Sequence, residues 1–136
     1  MELKQIYRGM QNGAETIQEN FAAIQQEDVY KKNIFRGAIY FSDANVFKFN
    51  EADVHKGILI TCERYDASTG KTLGYGVHTT FVPKPSMEQN YGKENRIPLS
   101  DTIKSFILQK NQIAGILENY STVKRRDFVL TDITLL

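Results

Sequence analysis

From Ile34 to the end of the chain, β-branched and aromatic runs are broken about every 8 to 12 residues by turn signals, a rhythm suited to short antiparallel strands. IFRGAIYF (34–41) predicts a strand, SDAN a turn and VFKFN (46–50) a short strand. In GILITCER (57–64), Ile58, Ile60 and Cys62 share one face while Leu59 and Thr61 share the other, before the run frays into the loop YDASTGKT. Alternation is clearest over residues 73–81. There Leu73, Tyr75, Val77, Thr79 and Phe81 point one way and Gly74, Gly76, His78 and Thr80 the other, giving one packed face and one open to a close approach. Pro83 and Pro85 end that strand, and SMEQNYGKENRIP (86–98) reads as a long surface loop. KSFILQ and IAGILE predict a hairpin across Lys110-Asn111, and DFVLTDITLL a closing strand. The whole favours an antiparallel sandwich or barrel.

The first residues keep a different period. Asn12 is a good N-cap with Glu15 three residues later, a capping-box arrangement that predicts a helix start. From there Ala14, Ile17, Phe21 and Ile24 form a narrow apolar seam on a helix otherwise made of Glu, Gln, Asn and Thr. Tyr7 and Met10 fall on the same columns when the pattern is extended backwards. A helix of about 14 residues is marginal alone in water, so something covers the seam: the chain's own domain, or further copies of the helix. EDVYKKN then loses the period and reads as a linker.

With 136 residues, one domain and an appendage fit. Basic and acidic residues number 17 and 16, so no global field draws the chain to nucleic acid or an anionic membrane. No apolar stretch approaches about 18 residues, which argues against membrane insertion, and MELKQIY does not read as a signal peptide. Maturation in a cytoplasm is the expectation. Cys62 is the single cysteine, which excludes an internal disulfide, and its apolar run predicts a buried inert thiol. Enzyme signatures are weak. Gly70-Lys71-Thr72 resembles the end of a P-loop, but Tyr65 stands where the first glycine belongs. His55 and His78 lack metal-ligand spacing, no G-x-S-x-G elbow is present, and Asp43 and Asn45 begin a calcium loop that lacks its glycine and glutamate. Acidic residues are scattered singly rather than paired as glycosidases need. The expectation is a chain without catalytic residues, metal or cofactor.

The run YRGM-x-NGAETI (7–17) resembles the N-terminal signature of lower baseplate, or receptor-binding, proteins of tailed phages of Gram-positive bacteria. The order GAIYF, GILITCERYD, GYGVHTTFVPK, SFILQKNQIAGI, DFVLTDITLL is similar to the β-sandwich head of short tail and baseplate proteins of such phages. The resemblance implies a mainly β protein with an N-terminal α-helix: an antiparallel β-sandwich head on a short trimeric helical bundle. It implies a docking segment and trimerisation helix at 1–27, a linker at 28–33 and a head at 34–136. Tyr7, Arg8, Met10 and Asn12 would dock to an upper baseplate or other tail protein, and Ala14, Ile17, Phe21 and Ile24 would join a homotrimer at the tail tip of the virion.

A head of that kind would bind host cell-wall polysaccharide or teichoic acid. Saccharide recognition needs an aromatic face for the apolar side of a pyranose, with fixed amides, carboxylates or cations for its polar groups. Two groups of residues offer these. One is Tyr65 and Asp66 at a hairpin with Tyr75 and His78 on the neighbouring strand; the other is the stretch containing Asn90, Tyr91, Lys93 and Arg96, next to Gln89. Lys124-Arg125-Arg126 could hold a phosphate or form a solvated turn. Two other readings stay open: a purely structural baseplate protein and a depolymerising enzyme.

Overall fold

The computed structural model describes residues 30–136, in which Lys32–Leu136 form a compact unit. The expected N-terminal helix, with Ala14, Ile17, Phe21 and Ile24, and the docking residues Tyr7, Arg8, Met10 and Asn12 lie outside the described residues.

The unit is mainly β, and its sheets are antiparallel. One sheet runs β1 (Lys32–Ile39), β9 (Phe128–Leu135), β3 (Gly57–Asp66), with the short β4 (Lys71–Thr72) and β5 (His78–Pro83) sharing the free edge of β3. The other runs β2 (Val46–Lys48), β8 (Gln112–Gly115), β7 (Ile103–Gln109), β6 (Glu94–Pro98). Helices α1 (Lys84–Gln89) and α2 (Glu118–Ser121) and 3-10 turns at Glu51–Asp53 and Arg125–Asp127 join these strands. Ile58, Ile60, Cys62, Leu130 and Ile133 from the first sheet and Ile97, Phe106, Leu108 and Ile113 from the second share one buried cluster. Each aliphatic side chain so buried contributes about 1.5–3 kcal/mol.

The alternation read in β3 is the one found: Ile58, Ile60 and Cys62 have no exposed surface. The β7–β8 hairpin turns at Lys110-Asn111, with Gln109 opposite Gln112. β9 lies between β1 and β3, and a register shift opposite Thr61 and Cys62 lets Thr131 turn its hydroxyl to the Thr61 carbonyl (3.3 Å).

Four expectations need correction. The strand expected over residues 73–81 begins only at His78. Leu73 still donates to the Arg64 carbonyl (3.0 Å), but Gly74 (φ 74°) and Gly76 (φ 68°) then take left-handed conformations that carry the chain off the edge of β3. The side of β5 facing the core is also the reverse of the one its own polarity suggests. Residues opposite each other in a ladder share a face, and Ile58, Ile60 and Cys62 pair with Val82, Thr80 and His78. Val82 is therefore buried, while Leu73, Tyr75, Val77 and Phe81 are 39–59% exposed. Partner parity overrides local polarity here.

The stretch 86–98 is not a long loop. Pro85 sits in the first turn of α1, where its missing N–H costs nothing, and Met87 is buried. Glu94–Pro98 then pairs with β7 as an edge strand, with Ile97 turned into the core. IAGILE, read as one strand, stops pairing at Gly115, because α2 begins at Glu118.

Candidate functional site

Lys104 and Asn119 organise one end of the second sheet from within. Lys104 lies beside Ile97 in the β6–β7 ladder and on the same strand face as Phe106 and Leu108, so its stem runs inward and it has no exposed surface. Its Nζ donates to the carbonyls of Tyr40 (2.9 Å), Arg125 (2.9 Å) and Asn119 (3.3 Å). Burial pulls its pKa from 10.5 down to about 8, against the opposing influence of Cys62. The Cys62 thiol is itself pushed up by burial to about 12, consistent with an inert thiol. Asn119 is equally buried, and its amide takes the place of a strand neighbour where β8 has ended. It accepts from the Ser105 N–H (2.8 Å) and donates to the Ser105 carbonyl (2.6 Å) and to the Phe41 carbonyl (2.8 Å). Phe41, at φ 64°, runs so close to Gly115 that any Cβ there would strike its carbonyl. These buried groups tie together the end of β1, β7, α2 and the turn before β9.

Above that tie sit three tyrosines. Tyr40 meets Tyr65 edge-on (centroids 5.7 Å, 87°) and Tyr120 at a tilt (5.4 Å, 60°). The Arg126 guanidinium lies over the Tyr120 ring at 5.6 Å, and Lys104 Nζ is 5.8 Å from the Tyr40 ring centre. Burial raises the Tyr40 pKa, helped by Tyr65, while Arg126 pulls it back. Tyr120 is 49% exposed and Tyr40 and Tyr65 are half-buried. Among the described residues no group hydrogen-bonds the three phenol hydroxyls, and no carboxylate pairs with Arg126. The arrangement can offer ring faces, hydroxyls and a cation to a ligand in one place.

The residues expected from the sequence divide. Tyr65 joins this cluster. Asp66 shapes the turn between β3 and β4 instead: its carboxylate accepts from the Ser68 hydroxyl (2.6 Å) and N–H (2.9 Å), which hold its pKa below the usual range. His78 turns inward, its ring edge-on to Phe128 at 5.6 Å, with Arg64 over the same Phe128 at 5.4 Å. Tyr75 stands on the excursion between the two glycines, 59% exposed.

In the second group Tyr91 packs against the core, and burial raises its pKa, with Glu51 and Glu88 adding to the effect. Asn90 closes α1, donating to the Ser86 carbonyl (2.7 Å) and accepting from Lys93 (3.3 Å). Arg96 pairs with Glu94 at 3.6 Å. The triplet before β9 splits three ways. Lys124 pairs with Asp101 (3.9 Å), Arg125 gives its carbonyl to Lys104 and buries an unpartnered Nη1, and Arg126 covers Tyr120.

Tyr40, Tyr120, Lys104 and Asn119 were not legible as site residues, since no spacing links positions 40, 104, 119 and 120 to Tyr65. One signal was present: a lysine on the inward side of an otherwise apolar strand needs acceptors, and the residues that supply them, with their neighbours, become candidates. Among the described residues no group of His, Cys, Asp and Glu could hold a metal ion, and no helix is long and apolar enough to cross a membrane. No protein-family model, curated protein or solved structure matches this chain.

Proposed function

We propose that this chain is a receptor-binding protein at the tail tip or baseplate of a bacteriophage, or prophage, of a Gram-positive bacterium. In this reading Ala14, Ile17, Phe21 and Ile24 join three copies, and Tyr7, Arg8, Met10 and Asn12 dock the trimer on an upper baseplate or other tail protein. A β-sandwich head then binds host cell-wall polysaccharide or teichoic acid without cleaving it. The carrying observation is the half-exposed cluster of Tyr40, Tyr65 and Tyr120 with Arg126, whose hydrogen-bonding groups find no partner among the described residues. The similarity of residues 7–17 and of the strand order to phage tail proteins supports the same reading. Single-site binding of ~4 to 5 kcal/mol corresponds to millimolar affinity, and three copies would turn it into useful adhesion.

The test is sedimentation of the full chain with purified Gram-positive cell walls: the reading expects co-sedimentation that soluble wall polysaccharide competes away, with no release of reducing ends. Absence of binding to walls of every permissive host would overturn it. Light scattering should give three subunits, and Ile17→Asp with Phe21→Asp should give monomers; a double variant that stays trimeric would remove the seam as the contact.

A second reading is a purely structural tail protein whose head meets other virion proteins. The exposed Leu73, Tyr75, Val77 and Phe81 favour it, because apolar side chains grouped on one edge suit a protein contact. Substituting them with serine would abolish assembly under this reading and spare it under the first.

A further inference from the structure

The same cluster carries a statement about ligand chemistry. Tyr40 is at the end of β1, Tyr65 on β3, Tyr120 in α2 and Arg126 in the turn before β9, so four separate segments must be held in register for the rings to meet. The Lys104 ammonium bonds the backbone of Tyr40 itself, of Asn119 beside Tyr120 and of Arg125 beside Arg126. A fully buried ammonium is expensive, and here all three of its hydrogen bonds go to segments that display the cluster. Rigid placement of surface groups before a ligand arrives lowers the ordering cost of binding.

The unspent valences define the ligand. Three phenol hydroxyls without partners among the described residues match a polyhydroxylated molecule better than an apolar surface, and ring faces match the C–H side of a pyranose. The Arg126 guanidinium, 5.6 Å from the Tyr120 ring centre, has no described carboxylate to neutralise it, which leaves its N–H groups to an anion. We propose that Tyr40, Tyr65, Tyr120 and Arg126 form a preorganised site for an anionic saccharide, its ring against the tyrosines and its phosphoryl or carboxylate group on Arg126. Lys104 is the positioning residue beneath. The proposal rests on the receptor-binding reading for its biological setting, but its chemistry is tested apart from it.

The experiment is amide NMR of the isotope-labelled full chain, titrated with glucuronic acid, a glucose phosphate ester, methyl glucoside and inorganic phosphate. Both charged sugars should move the amides of Tyr40, Tyr65, Tyr120 and Arg126, and bind about tenfold or more tightly than methyl glucoside. Arg126→Ala should erase that preference while leaving weak binding of all sugars, Arg126→Lys should keep part of it, and Tyr120→Ala should weaken charged and neutral sugars alike. Lys104→Met, studied where it is folded, should lower affinity for every sugar without changing the preference, which a loss of the anion contact would not do. Should it fail to fold, Arg126→Ala and Tyr120→Ala carry the test, since Tyr120 is exposed and Arg126 only partly buried. Equal shifts from inorganic phosphate and the glucose phosphate ester would overturn the proposal, as an adventitious anion site needs no sugar. Shifts confined to other residues, with wall binding intact, would overturn the site and spare the receptor-binding reading. Sugar shifts at the cluster without wall binding would do the reverse. Wild-type sugar affinity in an Arg126→Ala and Tyr120→Ala double variant that no longer assembles with tail proteins would mark the cluster as a protein contact and overturn the proposal.

Discussion

The tyrosine cluster above Lys104 and the stretch from residue 90 to residue 96 are built of similar materials: tyrosine, cations and an amide. In the second, the polar groups satisfy one another. Asn90 is spent on Ser86 and Lys93, Arg96 is paired with Glu94 at 3.6 Å, and Tyr91 packs on the core. In the first, the satisfied groups lie underneath, on backbone carbonyls, and the side chains above them are left open. A surface that has spent its hydrogen bonds internally has little to offer a ligand, whatever its composition.

Asn119→Ala should break the comparison most severely. It strips partners from the Ser105 N–H and from the Ser105 and Phe41 carbonyls, all enclosed, and should cost about 3 kcal/mol or more in denaturant unfolding. If stability fell by less than a surface substitution costs, the buried tie would not be what holds the cluster.

Stability against pH gives the next largest effect. From pH 8 to 9 the unfolded chain keeps a Lys104 proton that the folded chain has lost, so stability should rise, by at most about 1.4 kcal/mol per pH unit. From 9 to 10.5 Cys62 offsets this, because its thiol ionises near 9.0 when unfolded and only near 12 when folded. Beyond 10.5 stability should fall, and the raised pKa values of Tyr40 and Tyr91 steepen the fall. Urea midpoints across this range test the sequence of rise, plateau and fall; Cys62→Ala should extend the rise to 10.5, and Lys104→Met should remove it.

Much of the scaffold for this contrast was legible in the sequence, and the site mostly was not. The buried face of β3, the hairpin at Lys110-Asn111 and the closing strand follow from local alternation and turn chemistry. Local alternation misassigned β5, because its face is set by pairing with β3, and hid β6, whose sole buried residue, Ile97, carries no period. Of the expected residues, Tyr65 joins the cluster, as does Arg126 from the basic triplet. Their companions come from other segments, and what gathers them, a buried lysine reaching for carbonyls, is a tertiary relation with no spacing to read.

Smaller effects sharpen the contrast from the other side. Asn90→Ala removes the 2.7 Å bond that closes α1 and should cost about 0.5–1 kcal/mol by thermal melting, with sugar affinity unchanged. Lys93→Ala and Arg96→Ala break exposed pairs only and should stay within about 0.5 kcal/mol of wild type, again with binding unchanged. A binding defect in either would mean that the stretch is less self-satisfied than its geometry implies.

The most direct measurement is the glucuronic acid titration of the full chain, read residue by residue across both regions. The account predicts saturable shifts at Tyr40, Tyr65, Tyr120 and Arg126 with Asn90, Lys93 and Arg96 unmoved. Shifts at Asn90, Lys93 and Arg96 with the tyrosine cluster silent would contradict it.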